Sequence, residues 1–385
     1  MTAPDAQPAT LHQLETPCLV LDRQRMDRNI ARLAGRAADL GVTLRPHLKT
    51  VKSAPIARLA LQGPEGPATV STLKEARQFV AAGITDLVYA VGISPAKLPA
   101  VIDLIGQGGR ITVLLDSVEQ AQAVAQASRD GGVVIPALIE IDCDGHRSGL
   151  RPDDAATLVA IGTALMQGAT LRGVLTHAGE SYGARGRAAQ AEAALLERDA
   201  VVRAAGILRA AGLPCPVVSV GSTPTAHAAR DLTGVTELRA GVYVFFDLVM
   251  AGIGVCDTDD IALSVLTTVI GHRPDKGWII TDAGWMAMSR DRGTAAQAVD
   301  QGYGLVCGPD GALLDDLMMI AANQEHGILA LRPGSAAALP DLKIGDRLRI
   351  LPNHACATAA QHDRYHLVEG ASPQVTDILP RFSGW

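Results

Sequence analysis

Eight short apolar runs recur between residues 43 and 242, and polar residues follow most of them. They are Thr43–Pro46, Ala68–Ser71, Asp86–Val91, Ile111–Leu115, Ala137–Ile141, Leu171–Leu175, Val217–Val220 and Leu238–Val242. Helical stretches separate most of these runs. Repeated alternation of strand and helix predicts an α/β fold, the (β/α)₈ TIM-type barrel. Catalytic groups in that fold gather where the strands finish. Those positions hold Lys49, Thr72, Asp116, Arg147, His177, Ser222, Thr223 and Tyr243.

A chain of 385 residues has room for a barrel and a second unit. After about residue 255 the helical periodicity fades. Strands are expected at Ala262–His272, Trp278–Asp282, Gly304–Val306, Ile328–Leu331 and Arg347–Leu351, joined by Gly/Pro/Asp turns. The expected division is a segment 1–24 packing with the C-terminal domain, a barrel over 25–255 and a β-rich domain over 256–385. The first ten residues read as a loose tail. Leu19-Val20-Leu21 reads as a strand, and Asp22 as the cap of the helix after it. Thr72-Leu-Lys-Glu75 has capping-box spacing. Ala188–Ala211 has the pattern of a helix coating the barrel.

Bulk properties narrow the function classes. The net charge of −6 and the lack of a basic stripe argue against nucleic acid as a partner. The apolar stretch from Tyr243 to Cys256 is broken by Asp247 and is too short to span a bilayer. No basic start followed by an apolar segment marks a secretory signal. Six scattered cysteines without a CxxC pair fit a reducing cytoplasm.

Several motifs carry chemistry. Gly221-Ser-Thr-Pro-Thr225 follows the seventh run. Its glycine permits close backbone approach, its hydroxyls can donate, and a helix starting near Pro224 would aim free N–H groups at an anion. An ordinary N-cap is the simpler alternative. Lys49 in Arg-Pro-His-Leu-Lys-Thr is either a solvated charge or, facing a phosphate loop, the amine that joins pyridoxal 5'-phosphate as a Schiff base. Desolvation and nearby cations would favour the neutral amine. Arg147 closes a polar run after the fifth strand, and the flat ring of His177 could lie on a pyridine. His354-Ala-Cys356 would put imidazole and thiolate on one face of an extended segment, a set suited to Zn²⁺. Two protein ligands leave positions open for water or substrate. His326 and His362-Asp363 are further polar candidates without an assigned place.

The order of Arg-Pro-His-Leu-Lys-Thr, Glu-Ile-Asp-Cys-Asp-Gly-His-Arg-Ser-Gly, Leu-Thr-His-Ala-Gly, Val-Gly-Ser-Thr-Pro-Thr, Glu-Leu-Arg-Ala-Gly-Val-Tyr and Pro-Asn-His-Ala-Cys resembles the metal-dependent D-serine dehydratase and D-threonine aldolase family. Those are pyridoxal phosphate enzymes with an alanine-racemase-like barrel. The resemblance covers nearly the whole chain. It implies that Lys49 carries the cofactor and acts as general base, and that Arg147 approaches the phenolic oxygen. It sets His177 against the ring with Tyr182 nearby. Gly221, Ser222 and Thr223 would cradle the phosphate with Gly241 and Tyr243 close by, and Arg239 falls beside the pyridine nitrogen. His354 and Cys356 would hold Zn²⁺, with another divalent ion such as Mn²⁺ as a substitute. A homodimer is implied as well.

The aldolases of that family usually show His-x-Asp at the metal step and the dehydratases His-x-Cys, so Cys356 favours dehydration. The expected reaction is elimination from a D-3-hydroxy amino acid. D-threo-3-hydroxyaspartate going to oxaloacetate and ammonia comes first, then D-serine going to pyruvate. Retro-aldol cleavage to glycine and an aldehyde is the alternative. A racemase would need a base on each face and no metal. A non-catalytic cofactor carrier would generally lack the second domain.

Overall fold

The computed structural model describes residues 10–145 and 147–385, so the start of the expected N-terminal tail lies outside the described residues. The chain forms two compact units, one comprising Ala31–Gly241 with Gly384–Trp385, the other joining the segment that ends at Ile30 to Val242–Ser383.

The first unit contains all eight predicted barrel strands: Thr43–Leu44, Ala68–Val70, Asp86–Gly92, Arg110–Leu115, Pro136–Ile141, Thr170–Thr176, Val217–Val220 and Glu237–Leu238. Every pairing among them is parallel. A further parallel bridge between His47 and Thr69 joins the first strand to the second and closes the ring. Val88, Leu114, Leu138 and Leu175, one from each of four consecutive strands, pack together as a core cluster. The first and eighth strands are shorter than expected. Pro46 lacks an N–H for further pairing, and Val242–Val244 turns into a 3₁₀ helix. Tyr243 therefore sits on a helical turn rather than at a strand end. The helix predicted at Ala188–Ala211 spans Gly186–Ala210. Thr72 caps Leu73–Ala81 by accepting from the Glu75 N–H at 3.0 Å, while Glu75 reaches back to the Ser71 N–H at 2.8 Å. The structural role of Thr72 is the one realised.

In the second unit six antiparallel strands close on themselves: Leu263–Arg273, Trp278–Thr281, Gly327–Leu331, Leu313–Ala322, Gly304–Cys307 and Arg347–Pro352. Cys18–Asp22 adds to Leu263–Arg273, followed outward by Arg364–Val368 and Asp377–Pro380. Asp22 caps Arg23–Asp39 as expected, accepting from the Arg25 N–H at 3.1 Å. The strand at Leu313–Ala322 was not anticipated. Two aspartates interrupt its apolar alternation, Asp316 takes a positive φ of 53°, and its pairing slips beyond Met319.

Among the described residues, no helix is long and apolar enough to cross a membrane.

Candidate functional site

Polar side chains of the barrel converge near the trailing strand ends. Lys49 lies in the turn after His47 and donates its backbone N–H to His47 Nδ1 at 3.4 Å. The charges of Lys49, Arg147 and Arg239 all act on His47 and His177, so these five side chains share one field. Lys49 is exposed, which departs from the desolvated amine expected of it.

His177 follows the sixth strand. Its Nδ1 is 2.8 Å from the Gly221 carbonyl, which can only accept, so Nδ1 carries the proton. Burial, with help from Arg147, Arg239 and Lys49, lowers its pKa to about 3 despite that hydrogen bond. The ring is therefore neutral at neutral pH. Tyr182 stands beside it, ring centroids 6.3 Å apart and inclined at 51°.

Gly221 carries the phosphate-loop argument. A Cβ there would come within 1.8 Å of the Arg239 carbonyl oxygen, so only glycine fits. Ser222 is the N-cap of Thr223–Ala228, and its hydroxyl is already engaged with the hydroxyls of Ser181 at 2.7 Å and Thr225 at 2.9 Å. The buried Thr223 hydroxyl has no hydrogen-bond partner. That orphaned donor, next to a glycine and the first turn of a helix, suits an anionic oxygen. Gly241 lies against the His47 carbonyl and Thr50.

Three buried acids behind these groups escaped the sequence reading. Glu197 accepts from the Gly221 N–H at 2.9 Å and the Ala178 N–H at 3.1 Å, pinning both loops to one carboxylate. Glu140 lies 3.7 Å from the Arg147 guanidinium and accepts from Ser148 at 3.1 Å. Burial raises the pKa of both acids. Glu237 joins Arg45 at 2.8 Å and Ser219 at 2.7 Å, and Ser219 accepts from Arg239 at 2.5 Å. Arg239 also donates to the Thr176 carbonyl at 2.6 Å. Burial lowers its pKa to about 10, so it stays cationic at neutral pH. Glu140 and Glu237 belong to strands, where an acid at an inward position was the available signal. Glu197 sat unmarked among the charges of a long helix.

The second unit holds the imidazole and thiol. His354 is the extended N-cap residue of the helix Ala355–Ala359, and Cys356 is already within it. The extended segment expected for this step is therefore replaced by a helix start. The buried Asp247 carboxylate stabilises that start by accepting the Ala355 N–H at 3.0 Å. Cys356 hydrogen-bonds His354, so the two side chains remain together. Asp291 lies 2.7 Å from His354 Nδ1. Burial opposes protonation of His354, but Asp291 and Cys356 outweigh it and raise its pKa to about 11, so a cation binding at Nε2 must displace that nitrogen's proton and leave the one on Nδ1. No cluster of three or more metal-ligating side chains occurs among the described residues. A soft thiol and an imidazole with further positions open suit a divalent transition-metal ion. Tyr243 is buried in this unit, and its hydroxyl has no partner. His362 is committed to the Ala287 carbonyl at 3.0 Å, and His326 is exposed.

Comparison with known proteins identifies the family. Residues 21–249 match the family model described as alanine racemase, N-terminal domain, and residues 262–368 match a putative serine dehydratase domain. The chain is 55% identical over 379 residues to D-threo-3-hydroxyaspartate dehydratase of Delftia sp. (strain HT23), covering 98% of this chain and 99% of that protein. It is 31% identical over 388 residues to D-threonine aldolase of Arthrobacter sp., covering 98% and 96%. A solved structure of a cysteine-to-alanine variant of D-threo-3-hydroxyaspartate dehydratase in the metal-free form superimposes with a TM-score of 0.93 at 53% identity, covering 98% of this chain and all of that one. The chain belongs to the alanine racemase N-terminal domain family, and carries after that domain the putative serine dehydratase domain.

Proposed function

We propose that this chain is a pyridoxal 5'-phosphate- and zinc-dependent dehydratase, a carbon–oxygen lyase, acting on D-3-hydroxy amino acids. D-threo-3-hydroxyaspartate is the leading substrate and D-serine the next. The observation that carries this reading is the His354–Cys356 contact in a chain 55% identical to a D-threo-3-hydroxyaspartate dehydratase. When bound, the cofactor supplies an electron sink at Cα and the metal a Lewis acid for the departing hydroxyl.

The chain's own groups take the remaining roles. Lys49 would hold the cofactor, and its free amine would accept the Cα proton. A single base on one face accounts for D-selectivity. Gly221, Ser222 and Thr223 receive the phosphate, with the Thr223 hydroxyl as the unengaged donor. Gly241 and Tyr243 complete the contacts assigned to the cofactor. Arg147, steadied by Glu140, would face the phenolic oxygen. Neutral His177, flanked by Tyr182, would lie against the cofactor ring. Arg239, held by Ser219 and Thr176, is a fixed cation that would disfavour protonation of the pyridine nitrogen. Elimination tolerates this because the electrons leave with the hydroxyl. His354 and Cys356 hold the divalent ion. Water departs across Cα–Cβ, and a water molecule returns as ammonia is released, leaving oxaloacetate from 3-hydroxyaspartate or pyruvate from serine.

Family resemblance supports a homodimer. The six cysteines form no disulfide, which supports a reducing compartment such as the cytoplasm.

Incubation with D-threo-3-hydroxyaspartate should release ammonia and a 2-oxo acid in equal amounts. Chelation of the metal should stop release while the cofactor's visible band remains. Glycine and an aldehyde as products would replace the dehydratase by an aldolase, and full activity after chelation would remove the metal. Lys49→Ala should lose both the visible band and turnover. Retention of either at the wild-type level would overturn the assignment of Lys49.

A further inference from the structure

We infer that Asp291 is the positioning residue of the metal pair, holding the His354 imidazole in the tautomer that leaves Nε2 to the cation. This rests on the metal reading above. A neutral imidazole carries one N–H, and a carboxylate can only accept it. With Asp291 Oδ2 at 2.7 Å from Nδ1, the proton belongs on Nδ1 and the lone pair on Nε2.

Asp291 is itself fixed from several directions. Its Oδ1 accepts the Gly293 N–H at 2.9 Å, and its own N–H donates to Ser289 Oγ at 3.2 Å. The next residue, Thr294, donates its N–H to Asn353 Oδ1 at 3.2 Å, and Asn353 directly precedes His354. Asn353 is anchored in turn to the Gly302 carbonyl at 2.7 Å. The carboxylate and the imidazole are therefore joined twice, once by their own hydrogen bond and once through Gly293, Thr294 and Asn353. An isolated exposed ion pair would contribute little. A carboxylate tied into the same turn as the imidazole fixes ring orientation and raises its basicity as a ligand.

The test is zinc affinity of the cofactor-loaded protein after chelation, titrated against a chromophoric competitor. Asp291→Ala should weaken zinc binding about 10–100-fold, with the cofactor band unchanged. Asp291→Asn keeps an acceptor for Nδ1–H without the charge and should fall between Asp291→Ala and the wild type. Cys356→Ala serves as the reference for loss of a ligand. If the wild type and Cys356→Ala bind zinc alike, the metal reading itself fails. If Cys356→Ala loses zinc while Asp291→Ala and Asp291→Asn match the wild type, the positioning role is overturned.

Discussion

His177 shows how surroundings decide a residue's chemical state. An imidazole ordinarily titrates near pH 6.5, about the midpoint expected in the unfolded chain. Here burial and three cations lower the folded value to about 3. Between those values the unfolded state binds more protons, so stability rises with pH and is lost as pH falls. His177→Asn should flatten this dependence by about one proton across the window from pH 6.5 to about 3. Urea denaturation at closely spaced pH values measures the slope, and an unchanged slope would contradict the buried neutral ring. Positions such as His177 and Arg147 were legible because they follow apolar strands. The residues holding them were not. Glu197 meets Gly221 and Ala178 across 24 and 19 residues of sequence, and no local pattern records such pairings.

Elements were legible wherever periodicity was clean. The eight barrel runs alternate with helices, and each became a strand. Legibility failed where the backbone leaves its regular path. Leu313–Ala322 has the composition of a helix and the irregularity of a bulged strand. The His354–Cys356 step begins a helix because Asp247, more than a hundred residues earlier, receives the first amide of that turn. Turn geometry also makes Gly221 the most demanding glycine of the barrel loops. Gly221→Ala would drive a Cβ into the Arg239 carbonyl and force the loop away from Glu197. The expected outcome is a loss of about 1–3 kcal/mol of stability together with weaker cofactor retention, measured by denaturation and equilibrium dialysis. Wild-type retention of the cofactor would detach this loop from the phosphate.

For the whole molecule, the change from alternating strand and helix to strands alone announced a barrel and a β-rich unit. Closure was not announced. A ring of six strands is fixed by pairings between distant segments, such as Val265 with Ile350. Nor could periodicity reveal which strand Cys18–Asp22 would join. It pairs with Leu263–Arg273 on one side and Arg364–Val368 on the other. Translation thus delivers the first strand of that sheet long before its neighbours exist. A nascent chain halted after the barrel has emerged would hold that ribbon ready with nothing to receive it. Completion of the sheet waits until Arg364–Val368 and Asp377–Pro380 have been made.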